Sequence, residues 1–144
     1  MAVINQDMEP QNTPNTQMDA YEDRVNVLSK RIIGCALTVR HAPGTGFVEK
    51  VYENALLHEL RKAGRAVSRQ HRMGVRYDGI LVGDYTVDVL IERNVLVELK
   101  AATGIDEIHR AQCLNYLKAS GLHLCLLLNF GKPRLAINRI VLDL

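Results

Sequence analysis

The chain has 144 residues, 47% of them hydrophobic, so it is long enough to bury the core of one domain. Its formal net charge of +2 is nearly balanced, which argues against a protein that grips nucleic acid through overall charge alone. The sequence has no run of about 18 apolar residues and does not open with a basic segment followed by an apolar one, so we expect neither a membrane span nor a secretory signal.

The cysteine pattern indicates a reducing compartment. The chain has three cysteines, an odd number, and no C-x-x-C pair. Cys35, Cys113 and Cys125 each lie in an apolar segment. We therefore expect buried, reduced thiols in a cytoplasmic protein, and neither zinc ligands nor disulfides.

The N-terminal part predicts a tail and two helices. Residues 1–19 are rich in Asn, Gln, Thr, Pro and Met without a sustained period, so we expect a flexible tail. The apolar period predicts a helix over 21–39, ended by a loop with one proline and two glycines, and a helix over 48–63, ended by Gly64. The expected buried positions of the first helix are Val25, Leu28, Ile32, Cys35 or Ala36, and Val39.

Three predicted strands lie in the middle of the chain, and one helix separates them from two further strands. The segments 66–77, 85–91 and 95–100 predict strands, and a helix over 105–119 follows. The apolar run over 122–129 suits a strand buried on both faces and parallel to the strand before that helix, and a last strand follows over 135–142. This order predicts one α/β domain, residues 20–144, with a central mixed sheet flanked by helices.

The strands over 85–91 and 95–100 form a predicted hairpin that brings two carboxylates together. With Arg93 at its centre, Asp88 lies opposite Glu98, and Lys100 shares the face of Glu98. Like charges on one rung destabilise a strand pair, so they favour a nearby cation, either a lysine or a metal ion such as magnesium. The alternative is an ordinary solvated face. The opposite face predicts core: Val87, Val89, Ile91, Val95, Val97, Leu99 and Ala101.

Polar residues also recur at helical spacing. Glu49, Tyr52 and Glu53 share one side of the helix over 48–63, although the helix dipole alone would explain Glu49 in the first turn. In the helix over 105–119, a polar stripe of His109, Gln112 and Tyr116 runs beside an apolar one, and Gln112 could equally satisfy a neighbouring backbone group. The predicted apolar stripe comprises Ile108, Ala111, Cys113, Leu114 and Leu117.

The densest basic stretch lies in and beside the strand over 66–77. A solvated edge strand is one interpretation of it, and a contact surface for a phosphate backbone is the other. Its members are Arg65, Arg69, His71, Arg72 and Arg76.

Across residues 22–143 the sequence resembles a known family. Gly46-Phe-Val-Glu49-Lys-Val-Tyr52 matches the pattern that names the GxxExxY proteins, a bacterial group within the PD-(D/E)xK nuclease superfamily. Val87 stands where that superfamily has a proline before the aspartate. The resemblance continues, in order and with the usual spacing, through Asn54-Ala-Leu, Val87-Asp88, Val97-Glu98-Leu-Lys100, His109-Arg-Ala-Gln112, Asn115-Tyr116-Leu117 and Leu127-Leu-Asn129-Phe130-Gly131.

This resemblance implies a restriction-endonuclease-like three-layer fold with an αβββαβ core, and it implies roles for individual residues. Glu49, Asp88 and Glu98 would hold Mg²⁺ or Mn²⁺, with the main-chain carbonyl of Leu99 as a further ligand. Lys100 would position the attacking water and offset charge in the transition state. Gln112 would act in catalysis near the scissile phosphate. The expected substrate contacts are Tyr52, Arg69, Arg72, His109 and Tyr116.

The same resemblance implies a function, metal-dependent hydrolysis of nucleic-acid phosphodiester bonds. DNA is the expected substrate, in repair, recombination or defence, with a protein partner or a second copy of the chain as a further expected contact. The alternative is a catalytically silent or partner-dependent module that binds nucleic acid or protein on the same fold. The complete set of Glu49, Asp88, Glu98 and Lys100 favours the enzyme.

Overall fold

A computed structural model describes residues 16–144 of the chain. Within this range the strands form one mixed sheet in the order β1-β2-β3-β4-β5, in which β3 and β4 run parallel and the other neighbours antiparallel. The predicted α/β architecture, with α3 as the crossover between parallel strands, is confirmed. The elements are α1 (Thr16–His41), α2 (Glu49–Lys62), β1 (Val67–Tyr77), β2 (Ile80–Ile91), β3 (Val95–Lys100), α3 (Glu107–Ser120), β4 (Leu124–Asn129) and β5 (Ala136–Val141).

Helix α1 begins earlier than the sequence predicts. It starts at Thr16, so residues 16–19, which fall in the predicted tail, are helical, and the rest of that tail lies outside the described residues. An acidic residue in the first turn, Asp19, favours the helix through its dipole, a signal that the polar composition obscures. The sequence predicts that either Cys35 or Ala36 is buried, and the structure shows Ala36 buried and Cys35 partly exposed.

Strand β2 is also longer than predicted, because the turn before it is tight. Asp78 and Gly79 both have positive φ values, 50° and 76°, and the turn pairs Tyr77 directly with Ile80. Two-residue hairpin loops of this kind require positive φ at both central positions. The strand therefore starts at Ile80, ahead of the predicted residue 85.

Both faces of the sheet bury apolar side chains. Helices α1 and α2 cover one face, where Val89, Val97 and Leu126 are fully buried. Helix α3 covers the other, where Leu90 and Leu96 are buried. Val87 packs in this second cluster, whereas the sequence assigns it to the face of Val89. The pairing of β1 with β2 skips the rung of Gln70 and Asp88, which interrupts the regular alternation there.

Helix α3 buries a different stripe from the predicted one. Ile108 is 75% exposed and Ala111 is exposed, whereas Cys113, Tyr116 and Leu117 face the sheet. Tyr116 points inward because its hydroxyl finds a buried hydrogen-bond partner, as described below. An amphipathic tyrosine of this kind is not distinguishable by sequence from a surface polar residue.

The thiols match their predicted chemistry in part. Cys113 and Cys125 are buried and Cys35 is partly exposed, and all three are free thiols. A hydrogen bond with Cys113, followed by burial, raises the pKa of the Cys125 thiol well above its ordinary value. These two thiols are therefore packing groups beneath α3. No helix in the described part of the chain is both long and apolar enough to cross a membrane.

Candidate active site

The β2–β3 hairpin sets the register of the predicted carboxylate pair. Ile91 pairs with Val95 and Val89 pairs with Val97, around a turn in which Glu92 and Arg93 have φ values of 54° and 60°. Asp88 and Glu98 come directly after the Val89–Val97 pair, and a hydrogen bond across the hairpin joins them, as the predicted juxtaposition requires.

Beyond that last regular rung, the two carboxylates replace carbonyl groups as hydrogen-bond acceptors. The backbone N–H of Asp88 donates to Glu98 Oε1 at 3.1 Å, and the backbone N–H of Leu99 donates to Asp88 Oδ2 at 2.8 Å. Each carboxylate therefore uses one oxygen to bind the opposite strand. Bonds from backbone N–H groups to carboxylates are charge-assisted and fix the geometry of the pair.

Glu98 is the most constrained acid of the site. It is 5% exposed, its Oε2 accepts a hydrogen bond from Tyr116 Oη at 3.1 Å, and Lys100 Nζ lies 3.9 Å from the same oxygen. Burial, and then the adjacent charge of Asp88, raises the pKa of Glu98 to about 7, although Lys100 and the Asp88 N–H oppose this rise. A second positive charge beside the pair would favour the ionised form.

Tyr116 serves this pair as a hydrogen-bond donor. It is 2% exposed, and its ring packs edge-on against Tyr85 at 5.9 Å between centroids. Burial and the neighbouring Glu98 raise the pKa of Tyr116 far above its ordinary value, so the phenol remains protonated. The sequence predicts a substrate contact here, whereas the structure places the hydroxyl on Glu98.

The main chain of Lys100 is held by the neighbouring strand. The N–H of Phe130 donates to the Lys100 carbonyl at 2.8 Å, which extends the β3–β4 pairing past Asn129. Asn129, fully buried, exchanges hydrogen bonds with Ala102 through both its side-chain oxygen (3.0 Å) and its nitrogen (2.9 Å). A Cβ at Gly131 would lie 2.4 Å from the backbone of Ala102, so a glycine is required there.

A cleft of ≈ 540 Å³ opens between the start of α2 and the sheet, and we call it the catalytic cleft. Its lining includes Phe47, Glu49, Glu53, Gln70 and Asp88. Glu49 is exposed in the first turn of α2 and thus shares the cleft with Asp88. Among residues 16–144, however, no three Asp, Glu, His or Cys side chains lie close enough together to form a metal-binding group. The predicted trio of Glu49, Asp88 and Glu98 is therefore only partly assembled.

Glu53 is a site residue that the sequence reading left unassigned. It is 3% exposed, and it accepts hydrogen bonds from Lys50 Nζ at 2.8 Å, Arg69 at 3.1 Å and Gln70 Nε2 at 3.0 Å. Its helical spacing from Glu49 was the available signal. Two cations and an amide compensate its burial, as a buried carboxylate requires.

Gln70 links this carboxylate to the pair of Asp88 and Glu98. Its Nε2 lies 3.0 Å from Glu53 Oε1 and 3.5 Å from Asp88 Oδ1. Its φ of 50° is unusual for a residue within a strand. Strained backbone of this kind persists where the surroundings hold it, often at functional sites. The sequence does not predict a role for Gln70, because no residue pattern indicates a positive φ at a glutamine.

Several predicted substrate contacts have other partners in the structure. Tyr52 is fully buried: its hydroxyl donates to the Gly44 carbonyl at 3.0 Å and accepts from the Phe47 N–H at 3.2 Å. Its ring also stacks on Phe130 at 4.6 Å. Tyr52 therefore fixes the loop that leads into α2, and it does not face the catalytic cleft.

The remaining predicted residues lie around the site without meeting in it. His109 completes a capping box with Asp106 at the start of α3. Arg69 is paired with Glu53, and Arg72 is paired with Asp84. Gln112 lies half-buried on α3 and does not line the catalytic cleft.

The donor set suits a hard divalent ion. Asp88 and Glu98 offer carboxylate oxygens side by side, and the Leu99 peptide between Glu98 and Lys100 is held against Asp88 by its N–H. Among residues 16–144, Asp88 Oδ1 has only the long contact to Gln70 at 3.5 Å, and Asp88 lines the catalytic cleft. Carboxylates and carbonyls are the ligands that magnesium and manganese take, and magnesium keeps several waters when few protein ligands are present.

Comparison with known proteins agrees with this geometry. The family model described as the PD-(D/E)XK nuclease superfamily matches residues 26–140. The crystal structure of SSO0001 superposes with a TM-score of 0.53 at 17% identity, over 67% of this chain and 51% of that one, which shows a shared fold. The chain thus spans about half the length of that protein. No curated protein matches the chain in sequence. The matched range contains the sheet, except for the last residue of β5, and the Asp88–Glu98–Lys100 set. The chain belongs to the PD-(D/E)XK nuclease superfamily, with a restriction-endonuclease-like α/β fold.

Proposed function

We propose that this protein is a metal-dependent nuclease of the GxxExxY type that hydrolyses phosphodiester bonds, with DNA as its substrate. The observation that carries the proposal is the set of Asp88, Glu98 and Lys100 on adjacent strands. Two carboxylates are locked rung to rung by backbone N–H groups, and Lys100 Nζ lies 3.9 Å from Glu98 Oε2. A purely structural ion pair would not need the second acid.

The chemistry follows from charge. A phosphodiester is anionic and repels hydroxide, and its leaving alkoxide is poor, so hydrolysis needs positive charge at the phosphate. Bound Mg²⁺ or Mn²⁺ would supply that charge and a water of lowered pKa. Asp88, Glu98 and the Leu99 carbonyl would hold the ion, and Tyr116 would keep Glu98 oriented. Lys100 would orient the attacking water and stabilise the charge that develops on the phosphate oxygens.

The outer residues of the site have supporting roles in this proposal. Glu49 would add a ligand from α2 across the catalytic cleft. Gln112, on α3 and outside the lining of that cleft, would contact the substrate near the scissile phosphate. Arg69 and Arg72 would meet phosphates of the substrate backbone, since β1 is the outer strand of the sheet. A partner protein or a second copy could deliver the substrate to this domain, residues 20–144.

The test is cleavage of labelled single-stranded and duplex DNA and RNA, with Mg²⁺, Mn²⁺ or a chelator. Asp88→Asn and Glu98→Gln should lose metal-dependent cleavage by at least about 100-fold, because each removes a charged ligand. Glu107→Gln is a matched control, since its side chain is 94% exposed on α3. Equal cleavage by Asp88→Asn and by Glu107→Gln would refute the site.

One observation favours a second candidate function, a nucleic-acid-binding module without turnover. The described residues form no three-ligand metal group, so the site as it stands offers two clustered carboxylates. A silent module would bind nucleic acid but show no stabilisation by Mg²⁺ or Mn²⁺. In a protein whose site binds the ion, the free energy of unfolding would rise by about 2.7 kcal/mol at an ion concentration 100 times the dissociation constant. Thermal unfolding with and without the ion separates the two functions.

A further inference from the structure

A second cavity opens on the face of the sheet that α3 covers. Its volume is ≈ 660 Å³, which lies within the range of pockets that hold small molecules. Its lining residues include Ser68, His71, Arg72, Leu90, Arg93 and Ser120, and we call it the basic pocket. It shares no lining residue with the catalytic cleft, although consecutive residues of β1 line the two cavities, Gln70 the catalytic cleft and His71 the basic pocket.

The lining of the basic pocket combines positive charge with an apolar floor. Arg72, Arg93 and His71 supply nitrogen donors, and none of the described lining residues is an acid. The floor is formed by Met73 and Leu90, which are only 4% and 9% exposed. A ligand that fits this lining carries negative charge at one end and an apolar or planar group at the other.

Two of the donors have no partner within the described chain. Neither the Arg93 guanidinium nor the His71 imidazole takes part in a hydrogen bond or ion pair among residues 16–144. Other arginines of the same region do: Arg65 lies 3.8 Å from Glu92, and Arg69 lies 3.1 Å from Glu53. Arg93 and His71 are thus the donors that are free to meet an incoming anion.

The backbone at Arg93 supports a role for its side chain. Its φ of 60° lies in the left-handed region, where glycine is unstrained and arginine is not. The β2–β3 turn therefore presents an exposed, unpaired cation at a position that does not favour one. A purely structural turn would be served better by glycine.

We propose that the basic pocket binds a nucleotide unit, with its phosphate against Arg93 and His71 and its base or sugar on Met73 and Leu90. Phosphate oxygens accept strong hydrogen bonds from arginine, and bases stack on apolar or planar surfaces. The nucleotide belongs to the strand that enters the catalytic cleft, which rests on the proposed function. A free nucleoside monophosphate has the same chemistry and is distinguished by experiment.

The first experiment measures binding of a labelled single-stranded oligonucleotide by fluorescence anisotropy, in chelator, on the full chain carrying Lys100→Ala. Adding Arg93→Gln or His71→Gln should weaken binding about tenfold, because the first removes a charge-assisted contact to phosphate and the second removes a nitrogen donor. The slope of log affinity against log salt should fall by about 0.7 for Arg93→Gln. Arg61→Gln, the same change at an exposed arginine on α2, is the matched control and should bind unchanged.

A second variant separates binding from folding. Arg93→Gly suits the φ of 60° and should unfold no more easily than the parent protein, yet it should lose the same affinity as Arg93→Gln. Adenosine monophosphate and inorganic phosphate are then tested as free ligands by thermal unfolding.

The outcomes identify the source of the nucleotide. Weaker oligonucleotide binding in the Arg93 variants with no response to adenosine monophosphate supports a nucleotide of the strand. Stabilisation by adenosine monophosphate that Arg93→Gln abolishes supports a free mononucleotide. If the Arg93 variants match Arg61→Gln with every probe, the proposal is overturned. Because binding is measured and not cleavage, failure of the nuclease proposal would leave these readouts intact.

Discussion

At the scale of single residues, the site depends on how Glu98 is surrounded. The residue sits almost fully buried next to another carboxylate, and burial raises its pKa to about 7. Two groups lower this pKa: the Asp88 N–H, which donates to Glu98 Oε1, and Lys100, whose Nζ lies 3.9 Å from Glu98 Oε2. Tyr116 Oη also donates a hydrogen bond to the Glu98 carboxylate. This balance leaves Glu98 close to ionisation at neutral pH, and a bound cation would favour the fully ionised carboxylate.

The raised pKa of Glu98 predicts a pH dependence of stability. Its folded-state pKa of about 7 lies above the ordinary value of 4.5, so its stabilising contribution is present below about pH 4.5 and is lost as the pH rises through 7. In chelator, the free energy of unfolding should fall by up to about 3 kcal/mol between pH 5 and pH 8. Urea unfolding at each pH measures this free energy.

Glu98→Gln provides the comparison for that prediction. The variant has no titrating group at this position, so its stability should change less across the same pH interval. Identical pH dependence in the variant and the parent protein would show that Glu98 does not titrate in this range.

For helices and strands, the sequence predicts those features that depend on the period of apolar and polar residues. The bounds of β3 and the closeness of Asp88 and Glu98 follow from alternation around a polar turn. The predicted start of β2 at residue 85 is wrong, although the sequence predicts a turn at Asp78-Gly79; a two-residue turn of this kind places the next strand at Ile80 directly. The inward direction of Tyr116 could not be predicted, since its partner lies on another strand.

The buried network between α2 and β1 escapes sequence reasoning for the same reason. Glu53 and Gln70 meet across a long stretch of chain, at a strand irregularity that no local pattern marks. Gln70 holds α2 to the pair of Asp88 and Glu98 through one amide nitrogen.

Substitution of Gln70 tests the strain at that irregularity. Gln70→Ala and Gln70→Gly both remove the amide, but only glycine relaxes a φ of 50°. Gln70→Gly should therefore be more stable than Gln70→Ala by about 1 kcal/mol in urea unfolding, the reverse of the usual order within a strand. Alanine as the more stable variant would contradict the strained conformation. The same pair at Thr86, an ordinary position of β2, is the control and should show the usual order.

At the scale of the whole molecule, the fold brings two separate layers to one cleft. The sheet is buried on both faces, which makes the rung of Asp88 and Glu98 a rigid platform. Helix α2 brings Glu49 to the opposite wall of the catalytic cleft, and the buried Glu53 ties this helix to β1. A cation bound between the layers would join them, so binding and stability should be linked.

Single-turnover cleavage by Lys100→Ala beside Lys30→Ala, with Mn²⁺ and the substrate that the wild type cuts best, tests whether Lys100 acts in catalysis. Lys30 is an exposed lysine of α1 and controls for loss of a charge. We expect that Lys100→Ala is still stabilised by Mn²⁺, because both carboxylates remain, but cuts at least about 100-fold more slowly. Lys30→Ala should cut like the wild type. Cleavage by Lys100→Ala at the wild-type rate would contradict the assignment of this site.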